Sequence, residues 1–145
     1  WSNNNPLVGT FSAVNESTWE HLKLLFFPML ISTIIGFSYK GKVIPNYLCA
    51  KVLGIILAMS FVVIFFYTYV GIIGTNFAIV DIGSFFIAVG LGQYVAYQKM
   101  QSTSSCSNVI PIIILLVLCS CFLIFTFFPL HIALFEDPII GSFGI

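Results

Sequence analysis

The chain has very little charge, and this scarcity decides the solvent in which it can fold. It has no arginine, and only 7% of its 145 residues are charged. An ordinary soluble domain has about 25% charged residues. The chain cannot cover a water-facing surface with so few charges, and 59% of its residues are hydrophobic. The composition therefore predicts a protein whose surface faces the lipid bilayer.

Basic runs and informative cysteine patterns are also missing. The five lysines are scattered and the net charge is zero, which excludes the basic patch that a nucleic-acid-binding protein needs. The four cysteines have the spacing of neither a metal site nor a disulfide framework, so they are predicted to be small apolar core residues. They are Cys49, Cys106, Cys119 and Cys121.

Long apolar runs are what the chain does have. A membrane-spanning helix needs about 20 mostly apolar residues. Four runs qualify, at residues 22–39, 47–70, 77–97 and 109–135. They do not alternate between apolar and polar residues as the strands of a transmembrane β-barrel would, and the connectors between them are short and rich in turn-forming residues. The sequence predicts an all-α polytopic transmembrane helix bundle that forms one integral membrane domain over residues 1–145.

The lysines predict how the spans are oriented. Loops 40–46 and 98–108 lie on one side of the membrane and carry Lys40, Lys42 and Lys99, and Lys51 lies just inside the adjoining span. The other side has only Lys23. Because positive charge favours the cytoplasmic side, both loops are predicted to be cytoplasmic in a multi-pass protein of the cell membrane.

The same topology places most titratable side chains on the opposite, outer side. Asp81 is the most informative of them, because a carboxylate at the centre of a span costs about 2.5–3.5 kcal/mol on insertion scales and normally has a partner or a function. Tyr67 and Tyr69 lie on the same side. The candidate catalytic residues are Glu16, Glu20 and Asp81, and the candidate ligands for a divalent metal such as Zn²⁺ are His21, His131 and Asp81.

A simpler interpretation explains part of this cluster. Ser17 and Glu20 have the spacing of a helix capping box, and Glu20 lies three residues before Lys23, a suitable ion-pair partner on a helix. Lys23 is also able to extend towards the headgroups. Capping is therefore an alternative to catalysis for Glu20.

Three functions stay open at this point. The first is a cation or metal site that supports interfacial chemistry on a lipid or small molecule, and the second is a small proton- or cation-linked transporter. The third is a structural or accessory subunit with a membrane-protein partner or a second copy of the chain. In the third span Gly83, Ser84, Gly90 and Gly92 are predicted to allow close helix packing, and Gly83 and Gly90, seven residues apart, share one face.

Three segments carry a resemblance to a known family. "VNESTWEHLKLLFFPML", "FYTYVGIIGTNF" and "FPLHIALFEDPIIGSFGI" resemble an uncharacterised family of small polytopic bacterial membrane proteins. The resemblance implies an integral membrane protein with a further apolar span upstream, but no substrate. Family members usually have prolines on both sides of the C-terminal histidine motif, where this chain has Leu130 and Ala133.

Overall fold

The computed structural model describes residues 17–41, 43–102, 105–132 and 134–135. The described residues form four helices and no strand, so the all-α prediction is confirmed. The helices are α1 (Thr18–Lys40), α2 (Tyr47–Ile73), α3 (Ala78–Met100) and α4 (Val109–Phe127). All four are long and apolar enough to cross a membrane.

Local chemistry explains the start of α1 and the end of α2. Ser17 begins α1, because its hydroxyl accepts a hydrogen bond from the Glu20 N–H at 3.4 Å, as the capping pattern predicts. Gly74 ends α2 in the left-handed conformation, with a φ of 83°, and donates its N–H to the Val70 carbonyl. Glycine adopts this conformation without steric cost, which explains the sharp turn into α3.

The fourth helix is shorter than its apolar run predicts. The sequence predicts a span to residue 135, but α4 ends at Phe127. Pro129 explains the difference, because proline has no N–H to donate and disfavours the helical conformation of the residue before it. His131 therefore lies in a turn after α4 and not within the helix.

The described chain divides into two compact units. Among the described residues, unit 1 comprises residues 17–28, 113–132 and 134–135, and unit 2 comprises residues 29–41, 43–102 and 105–112. The buried side chains of unit 1 include Leu22, Leu25 and Phe26 from the start of α1, and Phe122 from α4. Unit 2 is built on the pairing of α2 with α3.

Small residues allow α2 and α3 to approach closely. A Cβ added to Gly92 would lie 2.5 Å from the Gly54 carbonyl oxygen and 3.0 Å from the Ala58 Cβ. Ala88 and Ala96 of α3 are also buried. This is the packing expected between helices in a membrane, where small side chains bring the backbones together.

The close packing predicted for the small residues of the third span holds for some of them and fails for others. A Cβ built at Gly83 or Gly90 would have no atom of the described chain beyond its own helix within 4 Å, so the predicted close contact at these two residues is wrong. The same prediction agrees with the structure at Gly92, which meets α2, and at Ser84, which is buried. Because an α-helix turns about 100° per residue, two positions separate a packed face from an open one.

Candidate functional site

Unit 1 contains a buried charged network at the start of α1. Lys23 is fully buried, and its Nζ lies 2.6 Å from Glu20 Oε2, which confirms the predicted i, i+3 partner. The Lys23 ammonium also donates a hydrogen bond to Thr126 Oγ1 at 2.8 Å. The predicted extension of Lys23 towards the headgroups is wrong, because the nearby carboxylate and hydroxyl hold the ammonium inside.

Aromatic rings pack against one another in the same unit as this network. The Trp19 ring packs against the rings of Phe122, Phe125 and Phe135, with centroid distances of 4.6, 5.7 and 4.9 Å. The Trp19 backbone N–H donates to the Leu134 carbonyl at 3.0 Å. The segment after α4 therefore contacts the first turn of α1, and both side chains of the ion pair are shielded from solvent.

The histidines of the predicted site lie on the surface of unit 1. His21 and His131 are both exposed, at the start of α1 and in the turn after α4. Glu16 lies outside the described residues. Glu20 is already engaged with Lys23, so its charge is balanced by a cation of the chain itself. The catalytic assignment of Glu16 and Glu20 therefore stays a prediction.

Asp81 is the centre of a polar group in unit 2. It lies in the first turn of α3, and its carboxylate accepts a hydrogen bond from the Tyr69 hydroxyl of α2. The Asn76 side-chain amide approaches the second carboxylate oxygen at 3.5 Å. The Tyr69 hydroxyl in turn accepts from the Phe77 N–H at 3.4 Å. We call this group, Tyr69, Asn76 and Asp81, the Asp81 site.

The Asp81 site leaves its carboxylate accessible and without a positive partner in what is described of unit 2. Tyr69 is buried, but Asp81 is only half-buried. Both side chains that donate to the carboxylate are neutral. In the described ranges, no group of three or more His, Cys, Asp and Glu side chains is arranged to hold a metal ion. The metal assignment of His21, His131 and Asp81 stays a prediction, because Asp81 and the histidines belong to different units.

The opposite end of unit 2 has polar contacts that the sequence did not reveal. The buried Asn46 side chain precedes α2 and donates to the carbonyls of Lys99 and Ser102, at 2.6 and 3.1 Å. It therefore satisfies carbonyl groups at the C-terminus of α3. Lys51 of α2 donates to the Gln93 side-chain oxygen of α3 at 2.6 Å.

A disulfide lies at this same end and corrects the interpretation of the cysteines. Cys49 and Cys106 are bonded, so the prediction that all four cysteines are apolar core residues is wrong for this pair. Cys119 and Cys121 are free and half-buried. The predicted topology offered a usable signal, because it placed the start of the second span and the third loop at one end of the bundle.

These features define the class of protein. Four apolar helices of spanning length make the chain a multi-pass membrane protein. It belongs to DUF6512, described as a family of unknown function, whose model matches residues 1–145. The resemblance to an uncharacterised family is thereby confirmed. Comparison with curated proteins and with solved structures found no match.

Proposed function

We propose that this membrane protein binds a small cation or a proton at the Asp81 site. The observation that carries the proposal is the state of the Asp81 carboxylate: it is half-buried in the first turn of an apolar helix and receives hydrogen bonds from neutral side chains. Ionisable groups in membrane-spanning segments commonly mark ion sites and proton relays. Glu20 is a poorer candidate, because Lys23 already balances its charge.

The packing of α2 against α3 favours binding over conduction along this helix pair. Polar groups are present at both ends of the pair, at Asp81 and at Lys51 with Gln93. Between them the two backbones touch where Gly54 meets Gly92. A water-filled passage does not fit between helices in such contact. A transporter would need its pathway elsewhere, and His21, His131 and Glu16 remain the predicted contributors.

The first prediction concerns Asp81→Asn. In detergent-purified protein, we expect the wild type to gain thermal stability as a bound cation among Na⁺, K⁺, Ca²⁺, Mg²⁺ and Zn²⁺ is added. A ligand at 100 times its Kd stabilises a protein by about 2.7 kcal/mol. Asp81→Asn should abolish this gain, because an amide has no charge to offer. The measurement is the unfolding midpoint against cation concentration.

Tyr69→Phe is the matched control for this experiment. It removes the hydroxyl that donates to Asp81 but keeps the carboxylate. We expect a lower unfolding midpoint without cation, while the cation-dependent gain is retained. If no cation stabilises the wild type, and binding of a proton measured by titration is the same in Asp81→Asn, the proposal is wrong and the Tyr69–Asp81 contact is purely structural.

Two further measurements separate the remaining alternatives. Cation or proton flux in reconstituted vesicles that disappears in Asp81→Asn would favour the transporter. Elemental analysis that finds stoichiometric zinc, lost in both His21→Ala and His131→Ala, would favour the metal site and interfacial chemistry. Neither result is expected if Asp81 alone holds the ion.

The orientation of the loops is also proposed from charge. Lys51 points into the α2–α3 contact, and Lys23 is buried in its ion pair, so neither contributes a loop charge. Lys40 ends α1 and Lys99 lies in the last turn of α3. These two lysines, together with Lys42 from outside the described residues, therefore put the remaining positive charge on the side of loops 40–46 and 98–108. We propose that the protein lies in the cell membrane with loops 40–46 and 98–108 on the cytoplasmic side.

A second candidate function is that of a structural subunit, favoured by the open face of α3. Ile79, Gly83, Phe86, Gly90, Tyr94 and Tyr97 are spaced at three and four residues along this helix, and Ile79 and Phe86 are 86% and 69% exposed. Two glycines on such a face leave a groove that suits a second apolar helix.

Gly90→Leu tests the structural candidate. If a second copy of the chain occupies this face, the wild type should have the mass of an oligomer by native mass spectrometry. We expect Gly90→Leu to reduce it to the monomer, because the leucine side chain would fill the groove. A monomeric wild type, or an oligomer that persists in Gly90→Leu, would contradict a homo-oligomer built on this face.

A further inference from the structure

We propose that Cys49 and Cys106 form a reversible redox pair that fastens the residues before α4 to the first turn of α2. The proposal rests on the cytoplasmic orientation proposed above for the loops. It assigns a modification site whose partner is a cellular thiol–disulfide couple, and it is independent of cation binding at Asp81.

The geometry brings two distant cysteines together where reagents can reach them. They are 57 residues apart, with a Cα–Cα distance of 6.4 Å. Disulfides usually join Cα atoms separated by about 4.4–6.8 Å. Both cysteines are half-buried, and Ser105 and Ser107, the neighbours of Cys106, are exposed. A small thiol or an exchange protein therefore has access to this end of unit 2.

The redox state of the compartment determines whether such a disulfide is permanent or reversible. In a reducing cytoplasm, disulfides are rare and those that occur are usually transient, catalytic or redox-sensing. The lysine-rich side of the chain is the side that carries Cys49 and Cys106. A disulfide on this side undergoes exchange with the cellular thiol pool. A permanent structural disulfide is therefore the less favoured interpretation.

The α2–α3 pair has other contacts that hold it together when the bond opens. Asn46 joins the start of α2 to the carbonyls at the end of α3. Lys51 bonds to Gln93, and the Gly54–Gly92 backbone contact lies further along. None of these contacts involves a cysteine. Reduction is therefore expected to release the Cys106 side from α2 while α2 and α3 stay paired.

The exchange step is balanced by an external disulfide of the glutathione or thioredoxin class. The thiolate of one cysteine attacks a sulfur of the external disulfide, and one external thiol leaves. The second cysteine, as thiolate, then attacks the mixed disulfide and expels the other external thiol. The protein loses two protons and two electrons, and the external disulfide accepts them to become two thiols. Reduction is the same sequence in reverse.

The test is a glutathione titration of the full chain with Cys119→Ser and Cys121→Ser, which remove the two free thiols that would also react. Thiols are trapped with a maleimide of added mass and counted by gel shift. We expect the ratio of disulfide to dithiol to change about tenfold for each tenfold change in the ratio of oxidised glutathione to the square of reduced glutathione. A bond that stays closed at every composition, or two thiols that never pair, overturns the proposal.

Two further measurements test whether the disulfide is structural and whether the loops are cytoplasmic. The reduced protein, and the double variant Cys49→Ser with Cys106→Ser, should still unfold cooperatively, with a midpoint below that of the oxidised protein because the bond closes a 57-residue loop; loss of the cooperative transition on reduction would identify a disulfide that the fold requires and overturn the proposal. In intact cells, a membrane-impermeant maleimide should leave both thiols unlabelled until the membrane is opened. Labelling from outside overturns the orientation on which the proposal rests, whatever the titration gives.

Discussion

Lys23→Met is expected to destabilise the protein by about 3–5 kcal/mol, because removing one partner of a buried ion pair leaves the other charge in an apolar environment. The Glu20 carboxylate is nearly as buried as the Lys23 ammonium that it contacts at 2.6 Å. The variant also removes the donor to Thr126 Oγ1. SDS titration in mixed micelles, followed by tryptophan fluorescence, measures the free energy of unfolding, since Trp19 packs beside this network on Phe122.

The double variant Glu20→Gln with Lys23→Met is the control for this prediction. It removes both charges while preserving side-chain size, and the Ser17 cap to the backbone N–H of residue 20 is unaffected. Replacing both members of a buried pair is often neutral, so most of the lost stability should return. An exposed ion pair contributes only about 0–1 kcal/mol. Single variants with effects that small would show that the pair is solvated and that the burial described here is wrong.

The charged network of Glu20, Lys23 and Thr126 shows which contacts the sequence alone can predict. The Ser17 cap and the Glu20–Lys23 pair were predictable, because both are set by spacing along one helix turn. Thr126 was not, because it lies 103 residues from Lys23 in the sequence and meets it only through the packing of two helices. Hydropathy also continued past Pro129, and only the backbone chemistry of proline explains why α4 ends at Phe127.

For the Asp81 site and the disulfide, too, the sequence predicts which end of the bundle the residues occupy but not which residues meet. The four spans predicted that Tyr69 and Asp81 lie at one end, and the turn at Gly74 brings them into contact. Cys49 and Cys106 share an end by the same topology, but their spacing of 57 residues gives no local signal for a bond. Membership of a spanning helix is therefore predictable from composition, whereas contacts between helices require knowledge of which faces meet.

Gly92→Leu is the second variant with a large expected effect. A Cβ at this position would lie 2.5 Å from the Gly54 carbonyl oxygen, and backbone cannot move aside as a flexible side chain can. Overpacking a well-packed contact costs about 1–3 kcal/mol, and occasionally more. Because Gly92 meets backbone atoms, we expect the upper part of this range, with α2 and α3 forced apart. The same SDS titration measures the loss.

Gly90→Leu is the matched control, since it makes the same substitution two residues away on the same helix. A Cβ at Gly90 would meet no atom of the described chain beyond α3 within 4 Å, so the free energy of unfolding should change little or rise through the better helix propensity of leucine. The contrast between the two variants tests which face of α3 packs on α2. In protein that is monomeric by native mass spectrometry, equal losses, or a larger loss at Gly90, would mean that α3 is rotated relative to this structure. Such a rotation would also move Asp81 away from Tyr69 and remove the geometric basis of the proposed cation site.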